Sequence, residues 1–197
     1  EALKLLKDCS QFDLAILGRI HPIKQHMLFL QICSLLGQQC QGLRAVIIGG
    51  YPEPGPYQRQ VDAKIEQLRR LGLNIHMTGN IPSAQVFDWL AKTRLLLVTS
   101  QDEGFGRMAV EALACCVPVI ANPVGGLTEI IQDGQNGYLA QKDAPQSFCD
   151  LALGLLQDEA LRQKLGAQGR RMAEQRYSLP QIAKQYEALY QQIVQRQ

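Results

Sequence analysis

The chain has 197 residues, 46% hydrophobic and 19% charged, with 20 Lys and Arg against 18 Asp and Glu for a formal net charge of +2. A chain this long buries roughly 70% of its unfolded surface without disulfide or metal staples, and the composition is that of a globular rather than a disordered protein. The near-balance of charge argues against a protein built to grip a polyanion, and apolar runs such as Leu95-Leu96-Leu97-Val98 fall far short of the roughly 20 residues that cross a bilayer.

In chain order, Phe12 to Leu17 reads as a strand ending at Gly18, followed by a helix with Leu28, Ile32, Leu35 and Leu36 on one face. Leu43 to Ile48 is a second strand stopped by Gly49-Gly50, and Pro52, Pro54 and Pro56 make a rigid loop. Val61, Ile65, Leu68 and Leu71 follow at helical spacing, then a third strand from Leu73 to Met77. Ser83 reads as the N-cap of a helix through Trp89 and Leu90, before the nearly all-apolar strand Leu95 to Thr99. Continuous apolar runs of that kind belong to central parallel strands covered on both faces. A helix from Arg107, a strand Pro118 to Ala121 and a short helix Thr128 to Gln132 complete the alternation, which ends in the Asp133 to Gly137 turn. After Asp143 three helices are expected, over 148–156, 161–172 and 182–193, the last with Ile182, Tyr186, Leu189 and Ile193 on one face. The pattern predicts an α/β fold: a doubly wound parallel sheet, Rossmann-like, with a helical C-terminal tail. One domain over 1–197 is expected, with its core at about 12–142 and C-terminal helices at about 146–195.

Six cysteines, Cys9, Cys33, Cys40, Cys115, Cys116 and Cys149, show no C-x-x-C spacing and read as reduced, mostly buried thiols. The basic pairs Arg69-Arg70 and Arg170-Arg171 fall in helical stretches and read as solvated faces. No signal peptide opens the chain, so a soluble cytoplasmic protein is the default expectation. The first residue is Glu1 rather than Met, which suggests a piece of something longer.

Ligands of open parallel sheets bind beyond the carboxyl ends of the strands, and three strand-to-helix loops carry chemistry. In Gly18-Arg19-Ile20-His21-Pro22-Ile23-Lys24 two cations five residues apart flank a stiffening proline. They suit a diphosphate, Arg19 through its planar fork and Lys24 as a mobile point charge, or are two surface cations. His21 reads as a solvated loop histidine. The second loop is Gln101 to Glu111. Gly104 and Gly106 allow close backbone approach, and the helix that follows points unpaired N–H groups at a phosphate or sugar hydroxyl. Glu103 lies at the strand end, and Glu111 sits on an otherwise apolar helix where a buried carboxylate needs a partner, ribose hydroxyls being one and a dipole-stabilised surface site the other reading. The G-x-G-x-x-A spelled here is not a dinucleotide fingerprint: it opens the fourth β-α unit rather than the first, and the next strand ends at Asn122 with no acid. Asp102 and Glu103 lack the spacing and histidines of a metal pair, so no metal is expected. In the third loop, Asn122 to Glu129, the paired Gly125-Gly126 reads as a backbone cradle or as plain turn chemistry.

Taken together, Gly18-Arg19 with Lys24, the strand end Ile47-Ile48-Gly49, the Thr78-Gly79-Asn80-Ile81 turn and the long block from Glu103 to Gly137 resemble one family. In that block Glu103 and Glu111 flank seven residues, an E-x7-E motif, ahead of Val117-Pro118-Val119-Ile120-Ala121 and Gly125-Gly126. The chain resembles the C-terminal, nucleotide-sugar-binding domain of the family-4 retaining glycosyltransferases of GT-B fold, over about residues 12 to 190. The resemblance implies that Arg19 and Lys24 bind the donor diphosphate and stabilise the charge on the leaving nucleotide in place of a metal ion. It implies that Glu103 holds donor-sugar hydroxyls beside Gly104, Phe105 and Gly106, that Glu111 holds the ribose, that Ile81 contacts the base, and that Gly18 and Gly49 line the site. It also implies transfer with retention, usually ascribed to front-face attack through an oxocarbenium-like state. Two positions depart from the family: Gln25 and Cys116 stand where Gly is common. Expected partners are a nucleotide-diphosphate sugar and an N-terminal acceptor domain absent from this chain, through which any peripheral membrane contact would come; no nucleic acid and no cofactor are expected. The isolated half would bind donor without transferring it. A GT-B sugar-nucleotide epimerase and a non-catalytic nucleotide-sugar-binding module are the rival readings.

Overall fold

The computed structural model describes residues 10–194 apart from 52 and 54, so the expectations for Cys9, Pro52 and Pro54 lie outside the described residues. Six strands, β1 (Phe12–Leu17), β2 (Arg44–Ile48), β3 (Asn74–Met77), β4 (Thr93–Val98), β5 (Val119–Ala121) and β6 (Gly137–Leu139), form one sheet in the order β3-β2-β1-β4-β5-β6. Every pairing is parallel. The doubly wound sheet is therefore as expected, with one added strand. β6 carries no signal in the sequence, because its three residues are too short for a period and open on a glycine. Gly137 pairs with Val119, and a Cβ there would collide with the Val119 carbonyl, so glycine lets the edge strand close on β5.

The helices are α1 (His26–Gly37), α2 (Pro56–Arg70), α3 (Ser83–Leu90), α4 (Arg107–Ala114), α5 (Leu127–Ile130), α6 (Pro145–Gln157), α7 (Glu159–Tyr177) and α8 (Leu179–Val194). Alternation along the strands divides the core. Leu14, Ile16, Leu95 and Leu97 face α1, α2 and α6, whereas Ala15, Leu17, Leu96 and Val98 face α3, α4 and α5. Leu95, Leu96 and Leu97 are all fully buried, which is why β4 reads as an unbroken apolar run. Each such leucine contributes about 1.5–3 kcal/mol of burial.

Some local expectations need correction. Ser83 is the first residue of α3 rather than its cap: Pro82 holds the N-cap position and no side chain bonds there. The tail helices run longer than their apolar stripes, because Pro145 opens α6 and the Asp158 carboxylate accepts from the Leu161 N–H at 2.8 Å to start α7. On α8 the expected apolar face is not covered by the core: Tyr186, Leu189 and Ile193 are all about half exposed or more. Among the described thiols, Cys33 and Cys149 are buried, but Cys40, Cys115 and Cys116 are half-buried, so the expectation of mostly buried cysteines holds for two of five. Burial pushes the Cys115 and Cys149 thiols up to about 11. Arg69 is not simply solvated; its guanidinium donates to the Ile75 carbonyl at 3.1 and 2.8 Å and ties α2 to β3.

Candidate functional site

The strand order reverses between β1 and β4, so the chain leaves their carboxyl ends toward opposite faces and opens a crevice there. The loop after β1 is held by backbone contact with its neighbour. The Gly18 N–H donates to Ile48 O at 2.9 Å, the Ile20 N–H donates to Gly50 O at 2.9 Å, and a Cβ at Gly49 would collide with the Gly18 carbonyl. Gly49 has φ +141, so glycine answers both the conformation and the close approach. Pro22 then opens a 3-10 turn, Pro22–Lys24, and the exposed His21 caps it, its Nδ1 accepting from the Ile23 N–H at 3.3 Å. This turn lays the Lys24 stem over Gly18, with Cε 3.5 Å from the position of a Cβ on that glycine.

Across the crevice, the loop after β4 presents Glu103. Lys24 Nζ donates to Glu103 Oε1, and Ser100 Oγ donates to the same oxygen at 3.1 Å. The two charged side chains are only 20% and 10% exposed, so the pair sits in a partly desolvated place where charge acts strongly. A backbone bond from the Gln101 N–H to Ile23 O, 2.8 Å, joins the same two loops. An ammonium has three donors, which leaves two on Lys24 for another anion, and Glu103 retains a second oxygen for a donor.

Behind Glu103, Gly106 takes φ +89 and begins α4 without a side-chain cap, leaving the first amides of the helix open. One turn in, the Glu111 carboxylate pairs with Arg107, Nε to Oε1 3.0 Å. Burial raises the Glu111 carboxyl above its ordinary range and the Arg107 charge opposes the rise. The partner that the sequence required for Glu111 is thus supplied by the helix itself. Phe105 is half exposed and meets Tyr177 edge-on, ring centroids 5.6 Å apart. Gly125 and Gly126 serve differently from the cradle reading: the Gly126 N–H donates to Glu103 O and Gly104 O, both 3.1 Å, and Cβ atoms at the two glycines would collide with the carbonyls of Glu103 and Phe105. The pair is a seat for the Glu103 loop.

Of the residues singled out from sequence, the structure brings Gly18, Lys24 and Glu103 into one cluster, with Gly104, Phe105 and Gly106 on the loop that carries Glu103. Arg19, one residue beyond Gly18, is exposed and makes no ion pair among the described residues. Contacts join Lys24 to Glu103 and Arg107 to Glu111. Ile81 lies between β3 and α3, just past Gly79, which bridges Gly49, and packs its side chain on the core. The two departures from the family, Gln25 and Cys116, have φ +50 and +60, the left-handed conformation that favours glycine. The Gln25 side chain is tied down, its amide donating to Asp143 Oδ1 at 3.0 Å. Thr99, Ser100, Arg107, Asn122 and Asp143 escaped the sequence reading as contributors. The signal available for three of them was a polar residue placed directly after an apolar strand.

A parallel α/β sheet with an ammonium–carboxylate pair at its switch point defines a Rossmann-like ligand-binding domain. Residues 4–172 match the glycosyl transferases group 1 family, and the chain belongs to it. It is 36% identical over 125 residues to N-acetyl-alpha-D-glucosaminyl L-malate synthase of Bacillus anthracis, covering 61% of this chain and 33% of that enzyme. The chain spans about a third of the length of the curated relatives it matches. In structure it is similar to the C-terminal domain of the group 1 glycosyl transferase LpcC of Francisella tularensis, with 28% identity and a TM-score of 0.77 over 86% of this chain and 88% of that domain. Anabaena HepE in complex with UDP-glucose gives 26% identity and a TM-score of 0.78 over 96% of this chain and 51% of HepE. The chain is thus the C-terminal half of a GT-B fold in glycosyltransferase family 4. Among the described residues, no helix is long and apolar enough to cross a membrane.

Proposed function

We propose that this chain is the donor-binding half of a retaining glycosyltransferase that moves a sugar from a nucleotide-diphosphate sugar to an acceptor held by an N-terminal domain. The observation that carries the reading is the Lys24–Glu103 pair across the β1/β4 crevice, which sets a phosphate-binding cation beside a hydroxyl-binding carboxylate. A nucleotide sugar offers both groups on either side of the bond that breaks. Lys24 and Arg19 hold the diphosphate and stabilise the negative charge that grows on the leaving phosphate oxygen, helped by the open amides and positive end of α4. Glu103 accepts from sugar hydroxyls through its second oxygen, and Glu111, fixed by Arg107, accepts from ribose hydroxyls. Gly18, Gly49, Gly104, Phe105 and Gly106 line this donor site, and Ile81 marks the base end. The two cations do the work of a metal ion.

Support comes also from the relatives: HepE was crystallised with UDP and with UDP-glucose. The acceptor side lies in the N-terminal domain, so the chain alone binds donor and does not transfer it. Calorimetry of the chain with UDP-, GDP- and ADP-sugars at low salt tests this. Heat of binding from one of them is expected; no heat from any refutes the donor site, and efficient transfer by the chain alone refutes the half-enzyme.

A further inference from the structure

Among the described residues three non-glycine residues adopt the left-handed conformation, Gln25 (φ +50), Cys116 (φ +60) and Asp143 (φ +54). Glycine would adopt each of these angles without strain. Two of the three, distant in sequence, are bonded to each other: Gln25 Nε2 donates to Asp143 Oδ1 at 3.0 Å. The strain is accepted at both ends of one hydrogen bond, so the side chains themselves have a task there.

That bond continues inward. Asn122, fully buried at the carboxyl end of β5, donates from Nδ2 to Asp143 Oδ1 at 3.0 Å and accepts from the Asp143 N–H at 3.0 Å. The same Nδ2 donates to Thr99 O at 2.9 Å and Ser100 O at 3.1 Å. Those two residues hold the two halves of the ion pair. Thr99 Oγ1 donates to the Lys24 carbonyl at 2.9 Å, and Ser100 Oγ donates to Glu103 Oε1. The loop of Lys24 and the loop of Glu103 therefore meet at a common anchor from below.

We propose that Gln25, Asp143 and Asn122 form a clip that sets Lys24 against Glu103. They are positioning residues that touch no substrate and tune the affinity of the site for a nucleoside diphosphate. Only the ligand part of the test rests on the donor-site reading given above.

The test uses Gln25→Gly and Asp143→Gly in the full chain, since glycine keeps the backbone angles while deleting the clip. Native-state hydrogen exchange reads the inter-loop bond from the Gln101 N–H to Ile23 O. The expected result is at least about fivefold faster exchange at Gln101, unchanged rates at the Val46 and Leu96 amides of the central strands, and no fall in melting temperature. UDP, GDP and ADP are then titrated, and the tightest of them is expected to bind about tenfold more weakly to either variant, the scale of one hydrogen bond to a charged group. In a Lys24→Met background, Gln25→Gly is expected to change that affinity no further, because the clip acts through Lys24. Unchanged exchange at Gln101 overturns the proposal, as does a lowered melting temperature with all amides faster, which marks the bond as general stabilisation. An equal affinity loss with and without Lys24 also overturns it. Should the wild-type chain bind none of the three nucleotides, the donor-site reading fails, and the exchange rates alone still decide the clip.

Discussion

Glu103→Gln separates the two ends of the donor. In the native pair the carboxylate lies against Lys24, and its charge repels whatever anion the lysine holds on its far side. A phosphate charge about 6 Å from the carboxylate, at an effective dielectric of about 40 between protein and water, is disfavoured by about 1.4 kcal/mol. Glutamine has the same shape, keeps an oxygen for Ser100 and Lys24, and removes that repulsion. A free nucleoside diphosphate is therefore expected to bind the variant about tenfold more tightly. The nucleotide sugar gains the same amount but exchanges a charge-assisted hydroxyl bond for a neutral one, a loss of about 1.5 kcal/mol, so its affinity stays nearly level. Paired titrations with the diphosphate and the corresponding nucleotide sugar measure the ratio directly, and the gain should shrink as salt is raised. Equal changes for both ligands, or weaker diphosphate binding, would refute the assignment of opposite ends of the donor to Lys24 and Glu103.

Other substitutions probe the scaffold of the site. His26 is fully buried, and burial, aided by the Lys24 charge and opposed by a weak backbone contact with His21, lowers its imidazolium to about 4. Between pH about 6.5 and about 4 the unfolded chain takes up a proton that the folded chain refuses, so His26 removes up to about 3 kcal/mol of stability across that window and none above it. Urea midpoints from pH 7 to 4 should accordingly fall less steeply in His26→Leu than in wild type. Gly125→Ala drives a Cβ into the Glu103 carbonyl at φ +48 and is expected to cost about 3 kcal/mol or more in denaturant unfolding and to abolish nucleotide-sugar binding. Cys116→Gly relieves the left-handed residue that ends α4 and is expected to raise stability by about 0.5–1 kcal/mol without altering donor affinity, read by the same two assays.

The sheet was legible wherever burial left a periodic or continuous signal. β4 announced itself because Leu95 to Val98 are covered on both faces, and β1 and β2 ended at glycines whose angles the loops require. β6 was not legible, since three residues beginning at Gly137 carry no period and their pairing with β5 is a tertiary fact. In the site, Lys24 and Glu103 could be named from loop position, but their mutual contact spans 79 residues and depends on the strand order. Gly125 and Gly126 were visible as a pair, while their task was hidden: only the fold shows that the carbonyls of Glu103 and Phe105 occupy the space a side chain would need. From sequence Asn122 shows only that an acid is missing, whereas its buried amide joins the loop of Thr99 and Ser100 to the loop of Asp143.

The arrangement of supports explains why one half of the pair is a lysine. Glu103 is seated on its own side of the crevice, its backbone on Gly126 and its carboxylate on Ser100, and both supports come from loops that leave adjacent strands β4 and β5. Lys24 belongs to the other side of the switch point and must reach across it from a 3-10 turn, its stem resting on Gly18. A long apolar stem with a compact ammonium makes that reach, and in the proposed donor site it would let the charge follow a phosphate as the leaving nucleotide separates. A planar guanidinium at the same place would lock bidentately onto Glu103, which would fix the plane and direction of its remaining donors. Arg19, exposed and without an ion pair among the described residues, is where the proposed site would use the fork geometry. In the proposed donor site a seated carboxylate, a long-stemmed ammonium and an exposed guanidinium would divide the sugar and diphosphate ends by how firmly each must be held.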